Sequence, residues 1–309
     1  MESSYKMPKS MRKGTVLFII LMLAIPVLWF VVFYVIVNFN SVIMSFKVVN
    51  GVDDAGAIQY KWGFDNFLQL FTELDAKDGN MLIALINSLK YFALNLFVII
   101  PASYLVSYFL YKKIAGYKFF RVLFYTPSII SAVAMVIIFK NMIGGYGPVY
   151  VFCRDVLHYE LPALLTNSET ATKTILVYCF WTGFGVNIIL YQGAMSRLPS
   201  EIMEQSKIDG LPWYRELFKV ITPMIWPTLS TTIVLAITGI FTSTGPILLF
   251  GTGGAYETYS ISYFIFSQVY DSGIYNYPAA IGVFFTIYSI PVVFGIRFIM
   301  NKFDSKVEY

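Results

Sequence analysis

The sequence predicts an all-α integral membrane protein with six transmembrane helices and both termini on the cytoplasmic side. Three observations carry that expectation. The 309 residues are 57% apolar and only 13% charged, about half the charged share of a soluble domain. Six apolar stretches reach the roughly 20 residues that a helix needs to cross a bilayer. The Lys and Arg residues also collect on one side of those stretches, which by the positive-inside rule is the cytoplasmic side.

In chain order the expected spans are Thr15 to Val37, Tyr91 to Leu110, Phe119 to Ile143, Thr174 to Met195, Met224 to Phe250 and Ala279 to Met300. Lys6, Lys9, Arg12 and Lys13 precede the first span as they would a signal peptide. Its apolar core is too long for one and no small-x-small site follows, so it reads as a retained span. The N-terminus, the 111–121 turn, the 196–223 loop and the C-terminal end counted from Arg297 hold 15 of the 22 Lys and Arg. The net charge of +4 is therefore a topology signal, and no nucleic-acid partner is expected. The expected location is a cell (plasma or inner) membrane, crossed several times.

No Asp, Glu, Lys or Arg falls in the middle of a span. Lys90, Arg121, Lys140 and Arg297 lie within a few residues of an end, where they can snorkel. Ion-coupled carriers and voltage sensors usually need intramembrane ionisable groups, so this absence weighs against them. Uncharged polar groups do occur within spans, and the candidate substrate path is Asn95, Ser131, Asn187, Thr242, Ser243 and Thr244. Such groups could equally serve interhelical hydrogen bonds. Cys153 and Cys179 form no disulfide framework or zinc pattern, and the single His158 reads as a loop or interface side chain. No metal site, bound cofactor or catalytic residue is expected.

The loop from Arg197 to Pro227, RLPSEIMEQSKIDGLPWYRELFKVITPMIWP, is the most informative stretch. Pro199 suits the first turn of a helix, with Glu201 near its positive end. Ile202, Gln205, Ser206 and Asp209 recur at helical spacing. Gly210 is a natural stop, and Pro212 can open a second helix with Trp213, Leu217, Phe218 and Ile221 on an apolar face. A projecting helix of this kind suits docking into a groove on a soluble partner. A helix lying among lipid headgroups is the plain alternative.

The run Glu204, Gln205, Ser206, then Asp209-Gly210, then Phe218, Ile221 and Pro223 resembles the EAA loop of ABC importer permeases. The Glu-to-Gly and Glu-to-Pro spacings match, and so does the position before the last two spans. Gln205 and Ser206 stand where that pattern has alanines, and Thr222 where it has Leu. Over most of the chain, Ser45-Phe46, Gly63-Phe64-Asp65-Asn66-Phe67, Asn87-Ser88, Tyr125-Thr126-Pro127 with Ser131, Thr244-Gly245-Pro246, the 251–254 glycine loop and Thr258 resemble the carbohydrate-uptake, maltose- and multiple-sugar-type group. The short tail resembles the larger maltose permease subunit, here without a large external insertion.

The resemblance implies a type I importer permease fold. Its expected divisions are residues 1–83 (tail, first span and external segment), 84–301 (the transmembrane domain, with a coupling loop at 197–223) and 302–309 (a cytoplasmic tail). It implies a heterodimer with a second permease subunit, two ATPase subunits below, an extracytoplasmic sugar-binding protein and surrounding membrane lipid. Glu204, Gln205, Ser206, Asp209 and Gly210 would couple to the ATPase. ATP and Mg would bind on that partner, since the sequence contains no G-x-x-x-x-G-K-[ST] phosphate loop. The expected activity is ATP-driven import of a sugar, an oligosaccharide in the first reading. Glycerol-3-phosphate or another polar solute is the alternative cargo. A self-sufficient ion-coupled carrier or channel would leave the 197–227 loop unexplained, and a membrane-embedded sugar transferase would call for acidic or histidine clusters at one membrane face.

Overall fold

The computed structural model describes residues 9–53, 58–76, 79–242 and 245–302. The chain forms two compact units. One comprises Met1–Leu68 with Ile274–Val283, the other Gln69–Gly273 with Phe284–Tyr309.

In the first unit, Gly14–Ser45 is a continuous helix of mean hydropathy 3.1 in its most apolar window, where no residue is buried. A helix apolar on every side is one whose solvent is lipid. The sequence reading expected only helices, but Lys47–Val52 and Ile58–Trp62 pair as an antiparallel hairpin. Its signal was the alternation in KVVNGV and IQYKW together with Gly51, whose φ of +132° accommodates the register shift between Val49 and Gly51. The Gly63–Phe67 motif fixes this hairpin to the helix end. Asn66 Nδ2 donates to the carbonyls of Ser45 and Lys47, both at 3.0 Å, and Gly63 N–H donates to Phe46 O at 2.9 Å. Phe46, Phe64 and Phe67 stack into one aromatic cluster. Asn276 Nδ2 adds a third bond, to Lys47 O at 2.6 Å.

The second unit is helical. Asn80–Tyr111 and Ala171–Met195 are long enough to cross a membrane, as is Asn276–Lys302, which runs through both units. Two expected spans are corrected. The stretch from Phe119 to Ile143 is not one helix: Tyr117–Ile129 ends and Ala132–Ile143 begins across Ile130 and Ser131, both with ψ in the extended range. The length criterion instead picks out Ala132–Asp155. The stretch from Met224 to Phe250 is likewise broken. Trp213–Met224 meets Trp226–Thr238 at 81° across Ile225, because Pro227 has no N–H to continue the ladder from the carbonyl of Pro223. Trp226–Thr238 then stops at Gly239, and a short helix resumes only at Ile247–Phe250. At about 20 Å, a helix of that length is shorter than the roughly 30 Å hydrocarbon core. Among the described residues there are thus five helices that meet the criterion, or six if the bent pair is one span. Apolar composition alone does not reveal these breaks.

Candidate functional site

The 197–223 loop folds as a helix, a tight turn and a second helix. Ser200–Ile208 begins after Pro199, which stands at the cap rather than inside the first turn. Its end is a complete Schellman motif. Gly210 N–H donates to Lys207 O and Leu211 N–H to Ser206 O, both at 3.1 Å, with Gly210 at φ +63°. Only a residue free to enter the left-handed region closes this turn without strain. The helix has two distinct sides. Met203 and Ser206 are buried, and Ser206 Oγ donates to Ile202 O. Glu204, Gln205, Lys207, Asp209 and Gly210 are exposed, and so is the apolar tip Ile208, at 85%. Of the five predicted coupling residues, Ser206 therefore faces the protein and the other four face outward.

The second helix starts as Trp213–Arg215 and widens into a π-helical turn over Glu216–Ile221. That widening separates the expected apolar face. Leu217 and Ile221 are fully buried, whereas Phe218 is 60% exposed and Trp213 leans on Phe109. Leu217 and Ile221 enter one apolar cluster with Ile100, Tyr104, Tyr108, Tyr191, Met195 and Met203. The loop is thus built onto the ends of Asn80–Tyr111 and Ala171–Met195.

At the centre of that junction is a contact the sequence reading did not find. Glu216 is 4% exposed. Its carboxylate receives Lys112 Nζ at 2.5 Å and Tyr108 Oη at 3.1 Å, so both oxygens are used. The Lys112 ammonium also lies over the Tyr108 ring. One turn further into the membrane, Tyr104 Oη is 2.7 Å from Thr222 Oγ1 and 3.3 Å from Leu217 O. A buried carboxylate held by a cation and a hydroxyl is stable only while both partners stay in place. The arrangement locks the loop to the end of Asn80–Tyr111. Nothing in the sequence announces it, because Lys112 and Glu216 are 104 positions apart.

The opposite part of the same long helix grips a second segment. Asn87 Nδ2 donates to the carbonyls of Glu257 at 2.7 Å and Tyr259 at 3.0 Å, and Ser88 Oγ accepts from Ile261 N–H at 3.0 Å. Thr172 Oγ1 donates to Glu257 O as well. Here Tyr256 and Glu257 both take positive φ. The Asn87-Ser88 motif thus clamps the backbone around Thr258, far away in sequence, while Lys90 Nζ donates to Asn87 Oδ1 at 3.2 Å. Lys140 Nζ donates to Phe250 O at 2.6 Å, closing the end of Ile247–Phe250 instead of reaching for solvent.

Between these two clamps a cavity of about 250 Å³ opens beside the middle of Asn80–Tyr111. Ser88, Tyr91, Asn95, Cys179, Gly239 and Ile240 contribute to its wall, which among the described residues carries no charged side chain. Asn95 starts a π-helical turn, Asn95–Ile99, a distortion often found at functional sites. Tyr91 Oη is buried without a hydrogen-bond partner among the described residues. Tyr91 and Asn95 can together offer donors and an acceptor to a neutral polar molecule. Of the predicted path residues, Asn95 lines this cavity and Ser131, Asn187 and Thr242 do not. Thr242 Oγ1 bonds back to Thr238 O. Ser243 and Thr244 lie outside the described residues. Tyr91 was missed because an aromatic near a span end reads as an interfacial anchor.

Fold and site together define a multi-pass helical membrane protein with an exposed helix–turn–helix loop anchored on its helix ends. The chain belongs to the family described as binding-protein-dependent transport system inner membrane component, whose model matches residues 99–309. Curated relatives are similar over most of the length. The multiple sugar-binding transport system permease protein MsmF of Streptococcus mutans is 26% identical, over 91% of this chain and 94% of that protein. The arabinooligosaccharides transport system permease protein AraP of Bacillus subtilis is 23% identical, over 70% of this chain and 66% of that one. Among solved structures, a bacterial ABC transporter involved in the import of the acidic polysaccharide alginate matches at a TM-score of 0.80 and 21% identity. That match covers 95% of this chain and 98% of the other, and it shows a shared fold.

Proposed function

We propose that this chain is one permease subunit of an ATP-driven ABC importer in the cell membrane, translocating a neutral oligosaccharide. The observation that carries the reading is the 197–223 loop. It presents Glu204, Gln205, Ile208 and Asp209 outward while Glu216, Leu217 and Ile221 hold its base in the membrane domain. An exposed helix on a buried, hydrogen-bonded base suits a partner that pushes on it, and here that partner would be a cytoplasmic ATPase subunit. A second permease subunit, a second ATPase copy and an extracytoplasmic sugar-binding protein would complete the assembly.

The cargo reading is supported by the sugar-transport roles of MsmF and AraP and by the cavity. A wall with no charged side chain among the described residues favours hydroxyl-rich neutral solutes over glycerol-3-phosphate. Asn95 and Tyr91 would hydrogen-bond a sugar unit in transit. ATP binding on the partner would favour one of two states of the permease pair, each with its own affinity for the sugar.

The test is a mild-detergent pull-down of this chain from its own membrane, with co-purified proteins identified by mass spectrometry. A second multi-span permease and a P-loop ATPase are expected. Recovery of the chain alone, folded and able to carry solute in vesicles, would contradict the proposal. Within the assembled complex, Glu204→Lys and Gly210→Pro should abolish sugar uptake or release the ATPase. Wild-type uptake in both variants would refute the role of the loop.

A further inference from the structure

A second cavity, of about 440 Å³, lies where the end of Ile100–Tyr111, the start of Tyr117–Ile129 and the end of Phe184–Met195 come together. Its wall includes Lys113, Arg121, Tyr125, Gln192 and Ser196, and among the described residues it has no carboxylate. We propose that this cavity binds a phosphate-bearing anion, which in the membrane is the headgroup of an anionic phospholipid.

Four features support this assignment. First, the two cations are not neutralised. Neighbouring Lys112 is paired with Glu216, but among the described residues neither Lys113 nor Arg121 is in a salt bridge. Arg121 only lies over the Tyr117 ring. Second, Gln192 is split between two tasks. Its Oε1 accepts from Tyr125 Oη at 2.5 Å, while its Nε2 is buried without a partner among the described residues. A buried amide N–H without an acceptor is costly, and an anion oxygen would satisfy it.

Third, the backbone at Lys113 is unusual. Lys113 N–H donates to Leu110 O and Ile114 N–H to Phe109 O, a Schellman turn with Lys113 at φ +53° in the left-handed position. Glycine adopts that position freely and lysine does not. At Gly210 the equivalent turn does use glycine. Strain kept at a single residue marks a side chain needed in that place. Fourth, the depth is right. The cavity sits at the end of a membrane-length helix, Asn80–Tyr111, backed by the apolar cluster of Leu110, Phe184 and Ile188. Basic pockets between helices at headgroup level are the expected receptors for anionic lipids.

The experiment is native mass spectrometry of the purified full chain incubated with phosphatidylglycerol, with phosphatidylcholine and, separately, with inorganic phosphate. Phosphatidylglycerol should be retained in preference to phosphatidylcholine. Lys113→Gln and Arg121→Gln should each lower that retention about fivefold, the share that one basic residue near an anionic surface carries. Lys118→Gln, which removes an exposed charge from the same segment, should leave it unchanged. If inorganic phosphate displaces the lipid and shows the same dependence on Lys113 and Arg121, the phosphate site stands and its source is a soluble anion. Equal retention of both lipids, or equal loss in all three variants, would overturn the proposal.

Lys113→Gly guards against misfolding. It should raise Tm by on the order of 2 °C through relief of strain while losing the lipid, and a fall in Tm with retained lipid would make Lys113 merely structural. The readouts involve neither ATP nor sugar, so failure here leaves the importer reading intact, and the reverse also holds.

Discussion

The two ends of the helix Asn80–Tyr111 are tied to other segments in opposite ways. Near its start, Asn87 and Ser88 hold residues 257–261 through neutral hydrogen bonds to backbone groups. At its end, Tyr108 and Lys112 hold Glu216 of the 197–223 loop through a buried charge. The clamp at Asn87 buries no carboxylate, although Lys90 Nζ donates to Asn87 Oδ1 at 3.2 Å, and it can open by exchanging partners one bond at a time. The charged one resists opening, because a separated Glu216 would remain a buried carboxylate without its cation. Roughly 37 Å of helix lies between them, interrupted by the π-helical turn at Asn95–Ile99 beside the 250 Å³ cavity. The expected consequence is that the loop end stays joined to the helix more firmly than the 257–261 end does.

Substitutions can break this contrast at either end. The largest effect is expected from Glu216→Ala, which leaves Lys112 facing a buried hole and should cost about 3–5 kcal/mol. Because 24% of the Lys112 side chain is exposed, water should hold the loss near the lower figure. Thermal unfolding of the purified chain measures it. Replacing Lys112 and Glu216 together by methionine should restore most of the stability. If the double variant is as weak as the single one, the pair is not acting as a unit.

At the other end, Asn87→Ala leaves the carbonyls of Glu257 and Tyr259 without that donor and should cost about 1–3 kcal/mol. Hydrogen exchange should speed up in residues 257–264 and stay unchanged in 200–223. A global response would contradict the separation of the two clamps.

The loop itself offers a finer test. Gly210→Ala meets no atom within 4 Å, so only the left-handed backbone opposes it, at about 1–2 kcal/mol. Gly210→Pro also removes the N–H that bonds Lys207 O and forces φ negative, and should be clearly worse. Equal melting of the two variants would show that the turn is not held as described. The smallest effect is expected from Tyr104→Phe. Thr222 keeps its own bond to Leu217 O at 2.8 Å, so the loss should be about 1 kcal/mol, again read from thermal unfolding.

The parts of this molecule that the sequence disclosed are those set by local chemistry. Proline and glycine punctuation marked the helix–turn–helix at 197–223, and continuous apolar runs marked Gly14–Ser45, Asn80–Tyr111, Ala171–Met195 and Asn276–Lys302. Pro127 and Pro227 marked places where a kink was possible, but not that the chain would break fully at Ile130–Ser131 and Ile225, since the surrounding runs stay mostly apolar and the backbone angles decide it. The Lys112–Glu216 pair and the Asn87–Glu257 clamp were hidden for a different reason, as each joins residues more than 100 positions apart. Of the described path residues, Asn95 reached the cavity and Ser131, Asn187 and Thr242 did not. A polar residue in a span can serve a neighbouring helix, its own backbone or a cavity, and helical periodicity does not distinguish these.

The central claim is that the exposed side of Ser200–Ile208 docks a protein and not the lipid surface. Its most direct test places a photo-crosslinker on Ile208→Cys, at the 85% exposed tip, in the native membrane. The account predicts a crosslinked product with a P-loop ATPase subunit whose yield changes when ATP is supplied. Crosslinks to phospholipid alone, unaffected by nucleotide, would contradict it.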